Sequence, residues 1–142
     1  MIDQITVFLE NSEGRLAALC RTLSDAGVNM SALTIADTAD YGVVRIICDA
    51  PAKAKEALVA ADFRTVVTKV ACIQVPNRPG GLSDLLSVLD GLNLNIEYGY
   101  CFSVKQDTAV DVLKISGEAE EAEATAALEK AGFKLLSLED LS

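Results

Sequence analysis

The chain is written twice, and that repeat limits its folds more than any other feature. A shift of 66 positions makes Asn11 fall on Asn77, Gly14 on Gly80, Leu16 on Leu82 and Leu19 on Leu85. Leu23 then meets Leu89 and Asn29 meets Asn95, while Val7, Leu9, Val28 and Met30 meet Ile73, Val75, Leu94 and Ile96. Further along the offset becomes 70, and Ala54, Ala57, Leu58 and Phe63 meet Ala124, Ala127, Leu128 and Phe133. The second copy therefore gains four residues between its second strand and its second helix. A unit of this length is long for a solenoid repeat and reads as a duplicated small domain. The expected domains are residues 1–70 and 71–142.

Each copy shows the same periodicities. Ile5, Val7 and Leu9 alternate with polar or outward positions over residues 4–10, which predicts a strand. Leu16, Leu19, Cys20 and Leu23 recur at helical spacing over residues 14–26. Residues 30–36 and 43–48 read as strands joined by a hairpin through Asp37-Thr38-Ala39-Asp40-Tyr41-Gly42. Pro51 suits the first turn of a second helix with the stripe Ala54, Ala57, Leu58, Ala61. A final strand follows at residues 65–70. In the second copy the last helix runs from Glu118 to Lys130, with acids early, a base late, and Gly132 just past its end. The order βαββαβ, read twice, predicts an α+β chain of two ferredoxin-like domains. Each would be a four-stranded antiparallel sheet with two helices on one face. No turn residue interrupts Thr65 to Val75, so little linker is expected between the copies.

Composition removes several functions. The 142 residues carry 12 Lys plus Arg against 21 Asp plus Glu, a net charge of −9. That opposes binding to a nucleic-acid backbone or an anionic membrane surface. The charge is uneven: residues 1–70 hold 7 bases and 9 acids, residues 71–142 hold 5 and 12. Histidine is absent, which rules out Ser-His or Cys-His nucleophiles and histidine metal sites. Cys20, Cys48, Cys72 and Cys101 are widely spaced with no C-x-x-C pair, so no metal and no cofactor is expected. Met1-Ile2-Asp3-Gln4 has no signal-peptide character and no apolar run reaches membrane-spanning length. A cytoplasmic protein with reduced thiols is the expectation.

The first strand of each copy ends in a polar bend: Glu10-Asn11-Ser12-Glu13-Gly14-Arg15-Leu16 and Pro76-Asn77-Arg78-Pro79-Gly80-Gly81-Leu82. Glycine there allows a backbone conformation and an approach that a Cβ would block. The helix start offers free N–H groups and a partial positive charge to a small carboxylate. Asn11 and Asn77 add a donor and an acceptor. Asn29 and Asn95 open the next strand, and are expected on the same side of the domain as the bend. The same residues also serve as ordinary turn and cap positions, and duplication copies those too.

Asn-x-x-Gly-[Arg/Gly]-Leu after a strand, a Leu-rich helix, and then Gly27-Val28-Asn29-Met30 or Asn93-Leu94-Asn95-Ile96 together resemble the ACT domain family. The resemblance covers both halves and is closest to stand-alone proteins made of two ACT domains. It implies a non-catalytic regulatory protein that binds an amino acid between paired domains. It further implies a homodimer or higher homo-oligomer that signals to a partner metabolic enzyme or regulator. In the family the ligand touches the first bend and the start of the second strand of a neighbouring domain. Carried over, these positions are Asn11, Ser12, Glu13, Gly14, Arg15, Leu16, Asn29 and Met30. In the second copy they are Asn77, Arg78, Pro79, Gly80, Gly81, Leu82, Asn95 and Ile96. Glu13 would repel a ligand carboxylate or take its place, whereas Arg78 would attract one, which favours the second copy.

Other residues have plainer readings. Cys20 aligns with Leu86 and is expected in the core. Arg45 should face away from Val44 and Ile46. Tyr98, Tyr100 and Phe102 alternate along one strand, and either pack in the core or meet another subunit. The competing function is an oligomerisation or protein-interaction module with no ligand. Enzymatic activity has no motif behind it, and no catalytic residue is expected.

Overall fold

The structure is a computed structural model that describes residues 1–37 and 40–141. Thr38 and Ala39 of the expected hairpin lie outside the described residues. Among the described residues the chain is α+β, with four α-helices and antiparallel strand pairs. It divides into two compact units whose main bodies are Asp3–Thr68 and Lys69–Asp140.

In the first unit the order is β1 (Ile2–Glu10), α1 (Arg15–Asp25), β2 (Met30–Asp37), β3 (Tyr41–Cys48), α2 (Pro51–Ala60) and the opening of β4 (Arg64–Pro76). The strands lie in the order β2-β3-β1-β4, with β2 at the edge. Glu10 lies opposite Tyr41, and Ile5 opposite Ile46. The residues that alternate inward on β1 and β3 (Ile5, Val7, Val44, Ile46) meet Leu19 and Leu23 of α1 and Ala54 and Leu58 of α2 in one buried cluster. Cys20 packs against this cluster while staying half-buried. Gly27 sits at φ +72 just past α1, where the Val28 amide closes back onto the Leu23 carbonyl.

The second unit repeats the plan with β4, α3 (Gly81–Asp90), β5 (Ile96–Phe102), β6 (Thr108–Ile115), α4 (Glu118–Lys130) and β7 (Lys134–Leu135). β6 pairs with β4 on one side and with the edge strand β5 on the other; β7 pairs with β4. Ile73, Leu85, Leu89, Leu113, Ala124 and Leu128 form its core. The closing strand is only two residues long, shorter than its counterpart in the first copy. The strands expected on either side of residue 70 are one continuous 13-residue strand, β4. The extra residues of the second copy also find their place. α4 has 13 residues against 10 in α2, so most of the added length extends that helix into its acidic first turn.

Tyr98, Tyr100 and Phe102 share one face of β5 and are half-buried. They are not part of the cluster formed with α3 and α4. A register shift between Ile96 and Tyr98 explains this, because it puts Ile96 on the core side and the aromatics on the other.

One acid interrupts the inward face of the second unit. Asp111 lies on β6 in the same parity as Leu113, directly opposite Cys101, and is buried. Burial raises its carboxyl above the usual 3.8, while a hydrogen bond from the Cys101 thiol partly opposes the shift. The folded chain therefore keeps a proton that the unfolded chain has released. Stability falls as pH rises from the ordinary Asp value through the folded one, and the loss is complete above it. Asp111→Asn should remove that slope in acid titrations and raise the melting temperature at pH 7 by a few degrees. An unchanged slope would show that another carboxylate carries it. The buried Cys72 thiol is pushed up to about 12 by desolvation and is inert for the same reason.

Candidate functional site

Both bends take the backbone form that their glycines permit. Gly14 has φ +82 and Gly80 φ +89, left-handed conformations immediately before α1 and α3. A side chain at Gly14 would meet open space, so conformation, not crowding, selects glycine there. No side chain caps either helix; the Arg15 and Gly81 amides donate back to the Ser12 and Arg78 carbonyls, and the next amides of the first turn are left for solvent or a ligand. Gly80→Ala should cost about 1 kcal/mol, the penalty of a Cβ in left-handed backbone. Urea unfolding measures this directly, and a cost near zero would mean the bend relaxes.

The two bends differ in how their polar groups are used. Asn77 donates its side-chain amide to the Lys105 carbonyl at 2.9 Å, and its backbone amide bonds the Asp107 carbonyl. It ties the bend to the β5–β6 connection. Arg78 pairs with Asp84 of α3 at 2.9 Å and also bonds the Pro79 carbonyl. This exposed pair is a weak tie, so a ligand carboxylate at the second bend would compete with Asp84 for Arg78. In the first copy Asn11, Ser12 and Glu13 are exposed, and α1 has no acid in its first turn. Leu9, Glu10, Asn11, Ser12 and Leu16 line a small cavity of about 160 Å³ beside Ile35 of the edge strand. In the second copy an open groove of about 730 Å³ runs along α3 from Leu82 past Leu86 to Ile96.

Asn29 and Asn95 do not lie beside the bend of their own domain. Glu10 sits at the Tyr41 end of β3, whereas just past the other end the Asp49 amide donates to the Asn29 carbonyl and the Asn29 amide donates to the Asp49 carboxylate. β3 spans eight residues, so at about 3.3 Å per residue the two are separated by over 20 Å. The cause is simple. α1 has 11 residues and at about 1.5 Å each returns the chain across the sheet before β2 begins. The second copy is built the same way, with Asn95 bonding Ser116 at 3.0 Å through its side chain and again through its carbonyl. Met30 and Ile96 pack half-buried against their cores. The expectation that these asparagines share a side with the bend is therefore corrected.

Sequence reading missed a group that surrounds Arg15. Phe8, Glu10, Tyr41, Asp62 and Arg64 line a cavity of about 430 Å³ with it, inside the first unit. A position-by-position comparison of the copies carries the signal. Phe8, Arg15 and Arg64 align with Gln74, Gly81 and Lys134, so the aromatic and guanidinium groups belong to one copy only.

Among the described residues no group of His, Cys, Asp and Glu is arranged to hold a metal ion. No helix among them is long and apolar enough to cross a membrane.

A family profile described as "ACT domain pair" matches residues 1–134. No curated sequence matches the chain. Among solved structures, protein BT0572 from Bacteroides thetaiotaomicron is 35% identical, with TM-score 0.91, over 99% of this chain and 94% of that one. The regulatory subunit of aspartate kinase from Thermus thermophilus shares 17% identity, with TM-score 0.66, over 92% of each chain. The corresponding subunit from Thermus flavus also shares 17%, with TM-score 0.62, over 91% of each. These last two likenesses concern the fold. The glycine bends, the twofold strand–helix order and the profile match over nearly the whole length place the chain in the ACT domain pair family.

Proposed function

We propose that the chain is a non-catalytic regulatory protein that binds an amino acid between paired ACT domains. The single observation behind this reading is the separation of the bend from Asn29 and Asn95. On this reading the two halves of the ligand site lie at opposite ends of one domain. One antiparallel pairing of edge strands reverses a second domain and brings its asparagine to the first domain's bend. β2 and β5 are the edges available, and they carry exposed Leu33 and Ile35 on the first and a groove ending at Ile96 on the second. The uncapped amides of α1 or α3 take the ligand carboxylate, and the asparagine of the partner subunit orients the amino group.

On this reading the working form is a homodimer or higher homo-oligomer, each βαββαβ domain carrying its two helices on one sheet face. It acts in the cytoplasm and passes its ligand state to a metabolic enzyme or regulator by favouring one packing of subunits. The ligand-binding residues are those of the two bends with Asn29, Met30, Asn95 and Ile96, and no cofactor is involved. A thermal-shift screen of the proteinogenic amino acids tests it. One of them should stabilise the protein by about 2.7 kcal/mol at a hundredfold excess over its dissociation constant. Silence across the set would instead favour an interaction module with no ligand, in which Gly14→Asp and Gly80→Asp leave assembly and function intact.

A further inference from the structure

The cavity around Arg15 has features that the fold itself does not require. The Arg15 guanidinium lies over the buried Phe63 ring, 4.5 Å from its centroid. That of Arg64 lies over Phe8 at 5.3 Å. Phe8 and Tyr41 meet edge to face, with ring centroids 6.4 Å apart. Stacking orients a guanidinium over the ring and leaves its in-plane N–H donors to point along the ring face. Arg15 Nε is shut off from solvent with no hydrogen-bond partner. Neither arginine forms an ion pair among the described residues. The half-buried Arg15 carries an idle donor beside a 430 Å³ cavity, a costly arrangement unless an acceptor enters, and the exposed Arg64 guanidinium lines the same cavity.

The second copy supplies a control. Its cavity at the same place holds about 290 Å³ and is lined by Gln74, Thr108, Gly132 and Lys134. Phe133 still fills the position of Phe63. The domain closes there without the arginine pair and without the Phe8 and Tyr41 rings. Those groups are therefore particular to the first copy.

We infer that the first copy holds a second ligand site, contained within one domain, that takes a small zwitterionic carboxylate. The carboxylate lies between Arg15 and Arg64, where planar bidentate bonding suits it. Glu10 and Asp62 line the same cavity and balance the two positive charges, so a dianion gains little net attraction. A ligand that carries its own ammonium satisfies both pairs. The site shares Arg15 with the first bend but needs no second subunit, and Phe8, Tyr41 and Arg64 lie outside the residues of the paired-domain reading.

Isothermal titration of the full-length chain tests this, with the proteinogenic amino acids and succinate as separate probes. An amino acid should bind, and Arg64→Gln should weaken it about tenfold or more, the value of one charge-assisted hydrogen bond. Tyr41→Thr, which copies Thr108, should weaken it as well, with the melting temperature of both variants close to wild type. Gly80→Asp and Asn29→Ala should leave this binding within about twofold, well under 1 kcal/mol. Binding that ignores Arg64→Gln, or the absence of heat with every probe, overturns the site. Tighter binding of succinate than of any amino acid overturns the zwitterion assignment. Loss of all binding in Asn29→Ala with full retention in Arg64→Gln overturns the inference and leaves the paired-domain site standing.

Discussion

Glu121→Ala should destabilise the protein by about 3 kcal/mol, the cost of leaving a largely buried charge without its partner. Glu121 lies on α4 and is nearly buried; its carboxylate meets Lys114 Nζ of β6 at 2.9 Å. Lys114 is itself mostly enclosed, with 18% of its side chain exposed. It also donates to the Ile115 carbonyl and lies 4.0 Å from Glu97. Without Glu121 the ammonium keeps one carbonyl and one distant, half-exposed acid. The hydrogen bond to Glu121 is the main reason the Lys114 ammonium titrates above 10.5. Its stabilisation is therefore fully present below the unfolded value and is lost as pH rises through the folded one. Urea unfolding should show a lower midpoint with an unchanged slope. Replacing both partners, as Lys114→Met with Glu121→Leu, should recover most of the loss, because no unpaired charge then remains. A double variant as unstable as Glu121→Ala would show that the helix, not the pair, was damaged.

Gly81→Val should be nearly as damaging, about 3 kcal/mol at the upper end for overpacking. Gly81 is buried at the start of α3, and a Cβ there would collide with the Pro76 backbone carbonyl. A backbone atom cannot swing aside as a side-chain end can. The first copy places Arg15 at the aligned position, so the two bends are not interchangeable despite their common spacing. Arg15→Gly should accordingly cost little more than a helix-start glycine does, about 1 kcal/mol. Equal losses for the two substitutions would contradict the difference between the bends.

The fold was largely legible because each copy writes its periodicity twice. A strand alternation in residues 4–10 is repeated at the same offset by the first helix stripe. The limits found for α4, Glu118–Lys130, are those that its charge order and Gly132 imply. What failed to show was three-dimensional direction. Asn29 lies 18 residues beyond Asn11 in sequence, and nothing in that number says that a returning helix has crossed the sheet. Arg78 looked available because its partner, Asp84, sits six residues on, where a bend and a helix turn bring them together. Asn77 looked like a ligand donor, and its amide is engaged by a hairpin 28 residues away. The Arg15 cavity draws on β1, β3 and the α2–β4 turn, which only the closed sheet assembles.

Mixed dimers test most directly whether the ligand site is shared between subunits. One variant would carry Gly14→Asp and Gly80→Asp, blocking its bends. The other would carry Asn29→Ala and Asn95→Ala, removing the far half. For the amino acid found by thermal shift, neither variant alone should bind at this site. Unfolded and refolded together, they should regain about a quarter of the wild-type capacity, since random pairing makes half the dimers mixed and each restores half its sites. No recovery on mixing, or full binding by the asparagine variant alone, would contradict a site completed by a second subunit.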